Sequence, residues 1–263
     1  MTSDNNNFDV GNVEGIEKIP LGKKCPNCGE ELFKIIAYGG LSIPYECSCK
    51  REAREAEEKQ RQLEAEQEKR NKEKERIKRL HQSSNFPLKQ QKQFLDNFEH
   101  VKGTETAFNA AQRFIDKVPG VRKGILYIGT CGSGKTHLAA AIGNAVIEKG
   151  FSVKFITADK LYKKVRSTYT SFEMTENDIL SPLEKCYLLI IDDVGTTAPT
   201  KWAKSVLHSL IDNRMNDEKP TILTTNLTMK ELAEELDSRT IDRIPEGFVT
   251  FTITAPSYRK KKG

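Results

Sequence analysis

Residues 125 to 146, ILYIGTCGSGKTHLAAAIGNAV, leave few folds open to the chain. Ile125, Leu126, Tyr127 and Ile128 form an uncharged β-branched and aromatic run, the composition of a strand buried on both faces of a parallel sheet. A stretch of small helix-forming residues lies just beyond it. Between the two, Gly129, Thr130, Cys131, Gly132, Ser133, Gly134, Lys135 and Thr136 satisfy G-x-x-x-x-G-K-[ST] at every specified position. The glycines let backbone N–H groups curl around a phosphate without Cβ clashes, and the helix that starts there points its positive dipole end at the same place. Lys135 would neutralise the β- and γ-phosphates, and the Thr136 hydroxyl would sit on Mg²⁺. His137, the next residue, is grouped with the loop as a nucleotide contact. A strand before the loop and a helix after it separate this pattern from an accidental glycine-rich turn. The chain is expected to bind a nucleoside triphosphate.

A length of 263 residues suits one ordinary domain and something smaller, and 37% hydrophobic residues can fill a core. No stretch approaches the roughly 18 apolar residues of a membrane span, and the opening MTSDNNNFDV lacks the layout of a signal peptide. The expectation is a cytoplasmic protein with no membrane partner. A net charge of +5 permits nucleic-acid contact without demanding it.

Four of the six cysteines cluster near the N-terminus, as CPNCG (Cys25, Cys28) and CSC (Cys47, Cys49). In a reducing compartment two close pairs read as metal ligands rather than disulfides. Four thiolates would close a tetrahedral Zn²⁺ site with no open position for chemistry, hence a structural one. An unmetallated or redox-active set is the alternative, because the second pair is tighter than C-x₂-C. A metal also meets a physical need, since some fifty residues with few large apolar side chains fold poorly unaided.

Composition divides the chain into a polar, disordered segment at 1–20, a zinc-binding module at 21–52, a charged helical linker at 53–82 and a large domain at 83–263. Within the module, ELFKIIAYGGLSIPYEC supplies a strand, a Gly-Gly turn and a second strand. The linker pairs Glu55 with Lys59, Glu57 with Arg61, Glu66 with Arg70, Glu68 with Lys72 and Glu75 with Arg79 at i,i+4. Leu63, Ile77 and Leu80 are too few for a coiled-coil seam, so the helix is a solvated spacer or a partner-binding surface. In the large domain, strands at 124–129, 152–157, 186–193, 220–225 and 248–253 alternate with helices, which specifies a parallel sheet covered on both faces. The segment between the helix at 158–170 and the strand at 186 is expected to be a loop.

YLLIIDDVG is a buried strand carrying Asp192 and Asp193 at the end where ligands collect in an open α/β sheet. Asp192 would hold Mg²⁺ through its water shell and Asp193 would orient or deprotonate the attacking water; two loop acids capping a helix is the plainer alternative. TILTTN ends in Thr224, Thr225 and Asn226, and could present an amide to the γ-phosphate or serve as ordinary turn chemistry. DSRTIDRI puts Arg239 and Arg243 on one helix face, either as surface charges or with one reaching a neighbouring subunit's γ-phosphate. ADKLYKKVRSTYTSF interleaves Tyr162, Lys163, Lys164, Arg166 and Tyr169, a mix of cations and rings suited to single-stranded DNA. An amphipathic helix with Leu161 and Val165 facing the core accounts for it equally.

Taken together, GTCGSGKT, LLIIDD, TILTTNL, SRTIDRI and the closing PSYR resemble the AAA+ ATPases of the DnaC/DnaI helicase-loader and IstB group over about residues 83 to 260. The resemblance implies a P-loop AAA+ sheet flanked by helices. It makes Lys135 and Thr136 Walker A, Asp192 and Asp193 Walker B and Asn226 sensor 1. Arg243 looks like the arginine finger with Arg239 beside it, and Arg259 is similar to the sensor 2 arginine. Asp193 stands where AAA+ proteins generally carry Glu, which implies slow basal ATP hydrolysis stimulated by DNA or a partner. The chain ends soon after Arg259, so the usual helical lid looks absent.

Three function classes compete on these residues. One is an ATP-dependent loader delivering a hexameric DnaB-type replicative helicase onto single-stranded DNA, self-associating through the ATP site. A second is an IstB-type transposition helper acting on duplex DNA. The third is a small-molecule phosphoryl transferase. The cysteine-rich module on a helical spacer resembles the helicase-binding region of loaders, and the adjacent aspartates and Arg239/Arg243 helix argue against a kinase.

Overall fold

The computed structural model describes residues 17–36, 42–44, 47–169, 174–196 and 200–258. The chain forms two compact units, residues 1–72 and 73–263. In the first, strands β1 (Glu17–Lys24), β2 (Glu31–Ile36) and β3 (Ser42–Pro44) make an antiparallel sheet in that order. The strand pair expected from ELFKIIAYGGLSIP is present as β2 and β3, while the Gly-Gly turn falls outside the described residues. β1 starts at Glu17, inside the stretch expected to be disordered to residue 20. It pairs with β2 from Glu17↔Ile36 to Lys24↔Glu31, so backbone pairing orders a segment whose side chains give little apolar signal.

Helix α1 (Ser48–Ser83) is the charged helix. Of the five i,i+4 pairs read from the sequence, Glu66–Arg70 and Glu68–Lys72 close at 2.8 and 2.6 Å, whereas Glu75 turns to Lys78 instead of Arg79. Its last turns belong to the second unit. There Ile77 and Leu80 pack on the core, Arg76 Nη2 donates to the Gly150 carbonyl at 2.8 Å, and His81 pairs with Glu148. This end of the helix is therefore docked and not solvated spacer.

The second unit continues with α2 (Glu105–Lys117), β4 (Gly124–Gly129), α3 (Lys135–Glu148), β5 (Val153–Thr157), α4 (Ala158–Ser167), α5 (Glu176–Lys185), β6 (Leu188–Asp192), α6 (Lys201–Asn216), β7 (Thr221–Thr225), α7 (Met229–Glu235), α8 (Ser238–Gly247) and β8 (Phe248–Ile253). The five strands are parallel in the order β5-β6-β7-β4-β8. Alternate side chains feed two cores: Ile125, Tyr127, Leu188, Ile190 and Ile222 pack under α2 and α3, while Leu126, Ile128, Leu189, Ile191 and Leu223 pack under α4 to α8. This is the doubly covered sheet the strand pattern specifies. α5 replaces the expected loop before β6. A capping box of Thr175 and Asp178 starts it, and Leu183 buries its apolar side, which outweighs Pro182 within it.

Helix starts set the site. Side chains of Thr157, Thr175, Thr200, Thr228 and Asp237 cap α4 to α8, whereas α2 and α3 start with no side-chain cap, and of these two only α3 starts at a glycine, Gly134. The backbone N–H groups at that start are thereby left for a ligand.

Candidate functional site

A cavity of about 670 Å³ opens at the C-terminal ends of the strands, and Cys131 through His137, Asp192, Asp193 and Asn226 line it. The loop that carries it needs left-handed backbone at Gly132 (φ 80°) and Gly134 (φ 102°), where a Cβ is strained, and Phe98 packs within about 3 Å of the Cβ position at Gly134. Lys135 is buried, and its Nζ donates to the carbonyls of Gly129 (2.8 Å) and Thr130 (2.9 Å) and to Asn226 Oδ1 (2.7 Å). The ammonium is thus pinned between the glycine-rich loop and the residue that follows β7.

Asp192 closes β6. Its Oδ1 accepts from the hydroxyls of Thr136 at 2.9 Å and Thr224 at 2.6 Å. Burial pushes the Asp192 carboxyl up from the usual range and neighbouring Asp193 adds to this, while the two hydroxyls work against it. Asp193 takes a left-handed backbone (φ 57°), which Asp tolerates better than most residues. Its N–H donates to Thr224 Oγ1 at 3.0 Å, and Asn226 Nδ2 lies 3.5 Å from its Oδ1. One hydroxyl and two carboxylates at a helix N-terminus fit the hard, oxygen-preferring Mg²⁺: Thr136 and Asp192 would hold it.

His137 lines the cavity but is engaged elsewhere. Its Nε2 lies 3.0 Å from both the Phe94 carbonyl and Asn97 Oδ1, two acceptors, so that nitrogen carries the hydrogen. Burial lowers its pKa and keeps the ring neutral. It therefore ties α3 to the 89–101 segment, whose Lys89, Gln90, Gln93, Asn97 and Phe98 form a wall of the cavity. Pro256 and Tyr258 add to the lining, and Tyr258 N–H donates to the Gly132 carbonyl at 3.0 Å. These wall residues were not identified from the sequence. The spaced Gln and Asn of LKQQKQFLDN were the available signal, since Asn144 on α3 donates to the carbonyls of Gln90 and Gln93.

Arg239 and Arg243 lie on α8, away from the cavity lining of their own chain. Arg239 is exposed. Arg243 is held at 2.8 Å from Asp212 on α6 and 2.9 Å from Glu246, and these acids raise its pKa further. Arg259 lies outside the described residues. On α4, Lys163, Lys164, Arg166 and, just beyond it, Tyr169 are exposed, with Tyr169 edge-on to Trp202 and Lys163 paired with Asp159. Tyr162 packs against the core beside Leu161 and Val165. Its hydroxyl is enclosed without a partner among the described residues, and burial raises it to about 12.

In the first unit, Cys25, Cys28, Cys47 and Cys49 bring their sulfurs within 4.8 Å of one another, with Cys25–Cys47 at 3.3 Å and Cys47–Cys49 at 3.2 Å. A tetrahedral zinc–thiolate set has sulfurs about 3.8 Å apart, so the cluster fits Zn²⁺. Backbone N–H groups of Cys28 and Asn27 lower the Cys25 thiol to about 6, while hydrogen bonds with Cys47 and Cys28 push the Cys49 thiol up. Glu30 accepts from Ser48 N–H at 2.7 Å and fixes the turn onto the start of α1.

With this geometry in hand, three kinds of similarity agree. The family described as IstB-like ATP binding protein matches residues 48–263. The replicative helicase loader DnaC of Escherichia coli K12 is 30% identical over 176 residues, 66% of this chain and 72% of that one. DnaC of Buchnera aphidicola subsp. Baizongia pistaciae is 34% identical over 138 residues, 52% and 56% of the two chains. Among solved structures, a crystal structure of the DnaC helicase loader matches with a TM-score of 0.59 at 24% identity, over 64% of this chain and 100% of that one. A crystal structure of DnaI matches with a TM-score of 0.58 at 26% identity, over 65% and 95%.

Proposed function

The chain belongs to the IstB-like ATP-binding protein family, and on that premise we propose that it is an ATP-dependent loader delivering a hexameric DnaB-type replicative helicase onto single-stranded DNA. The observation that carries the reading is the convergence of Lys135, Thr136, Asp192, Asp193 and Asn226 on one cavity in a chain homologous to DnaC. No described helix is long and apolar enough to cross a membrane.

ATP is held with its phosphates on the uncapped start of α3 and against Lys135. Thr136 and Asp192 would hold Mg²⁺, which would supply charge neutralisation for the phosphates. Asp193 positions a water for attack and takes its proton at the carboxylate, with Asn226 spanning Asp193 and Lys135. Because Asp193 reaches one methylene less than Glu, unstimulated turnover is slow. Arg243 acts on the neighbouring protomer's nucleotide, which agrees with its absence from its own cavity. Lys163, Lys164, Arg166 and Tyr169 grip single-stranded DNA, and the zinc module at residues 21–52, carried on the 53–82 linker, holds the helicase while the 83–263 domain works.

The test is DNA-stimulated ATP hydrolysis by the Arg243→Ala chain. The reading expects nucleotide affinity within about twofold of the parent and loss of stimulation by about a thousandfold, the lower end of arginine-finger effects. Undiminished stimulation would remove Arg243 from the role.

A further inference from the structure

The hydrogen-bond ladder between β6 and β7 pairs Leu189, Ile190 and Ile191 with Thr221, Ile222 and Leu223 and then stops, one residue short of the two aspartates. Beyond it a single side chain takes over. Thr224 is fully buried, its hydroxyl donates to Asp192 Oδ1 at 2.6 Å, and the same oxygen accepts the Asp193 N–H at 3.0 Å. The Thr224 carbonyl in turn accepts from Val194 N–H at 2.8 Å. Both Walker B residues are therefore referenced to one hydroxyl on the neighbouring strand.

Two consequences follow for the reacting groups. Asp192 Oδ1 is saturated by the hydroxyls of Thr136 and Thr224, which fixes the plane of the carboxylate and leaves Oδ2 without a donor among the described residues. The hydroxyl bond also anchors the peptide that lets Asp193 adopt its left-handed backbone, and that backbone aims its carboxylate at Asn226. Thr225, the next residue, is spent on the Val194 carbonyl and Leu227 N–H, so it offers no substitute.

We propose that Thr224 is a positioning residue that presets Asp192 for Mg²⁺ and Asp193 for water, coupling metal affinity to turnover through one hydroxyl. The proposal deepens the ATPase reading and rests on it. Metal-site partners that orient ligands typically change affinity or activity by about 10- to 100-fold when removed.

The experiment compares full-length Thr224→Val, Thr224→Ala and Thr224→Ser with the parent. Binding of a fluorescent ATP analogue is titrated with Mg²⁺, followed by single-stranded-DNA-stimulated hydrolysis, and thermal melting confirms folding. Valine should raise the half-saturating Mg²⁺ and lower turnover, each by about tenfold, while Mg²⁺-free analogue affinity stays within about twofold. Serine should restore most of both, and alanine should match valine, which keeps the result readable if valine melts early. A valine variant with parental Mg²⁺ dependence and turnover overturns the proposal. So does a serine variant that falls as far as valine, because packing would then explain the loss. If the parent itself hydrolyses no ATP, the hydrolysis reading fails while the Mg²⁺ titration still decides Thr224.

Discussion

Replacing Arg214 with Met should unfold the second unit well below the parent's melting temperature, for reasons that can be counted. Arg214 on α6 is fully buried with no carboxylate in ion-pairing distance among the described residues. Its guanidinium instead donates to five carbonyls, those of Leu183, Glu184, Cys186, Tyr187 and Pro220, and to Thr221 Oγ1. Burial lowers its pKa, so the charge is retained only because these dipoles surround it. Methionine fills similar length but donates nothing. At roughly 1 kcal/mol per lost bond, and with relief from burying a charge set against it, the net cost is about 3 to 5 kcal/mol. For a unit of this size that is a fall of about 10 °C in Tm. Circular dichroism melts of the full chain measure it, and a Met variant melting within about 2 °C of the parent would refute the count. The position matters for the proposed site, since the carbonyls belong to the segments entering β6, which ends in Asp192, and β7, which carries Thr224.

Other outcomes follow from the same geometry. Lys135→Ala removes the ammonium held by Gly129, Thr130 and Asn226 and should abolish binding of a fluorescent ATP analogue, with the melt little changed. Because burial raises the Asp192 carboxyl, acidification should protonate it, and so weaken Mg²⁺-dependent nucleotide binding, at a higher pH than an exposed aspartate would; Mg²⁺ titrations across the acid range should show this, and Asp192→Asn should abolish the pH step. Zinc chelation or Cys25→Ser should release one zinc equivalent by metal analysis and cost helicase binding while sparing ATP binding.

Most of the sheet was legible because its signals are local. Buried parallel strands advertise themselves as apolar runs, so β4 and β8 match their expected bounds. What stayed hidden depends on distant partners. β1 is ordered by pairing with β2, and α5 by burying Leu183 against the same core that claims its neighbours. The Gln90 and Gln93 wall exists because Asn144, more than fifty residues on, seizes their carbonyls. Tyr162 shows the limit of a composition argument: its ring belongs to the amphipathic core face, and only the cations beside it are exposed. Thr224 was visible as one of two adjacent threonines, but only the geometry separates its bridge between aspartates from Thr225 and its turn.

The most direct test of the loader account is an affinity pull-down from native lysate with ATP and Mg²⁺, using the full chain and a chain lacking residues 1–72. The account predicts that the full chain retains the replicative helicase and the shortened chain does not. Retention of a transposase in place of the helicase, or of the helicase equally by both chains, would contradict it.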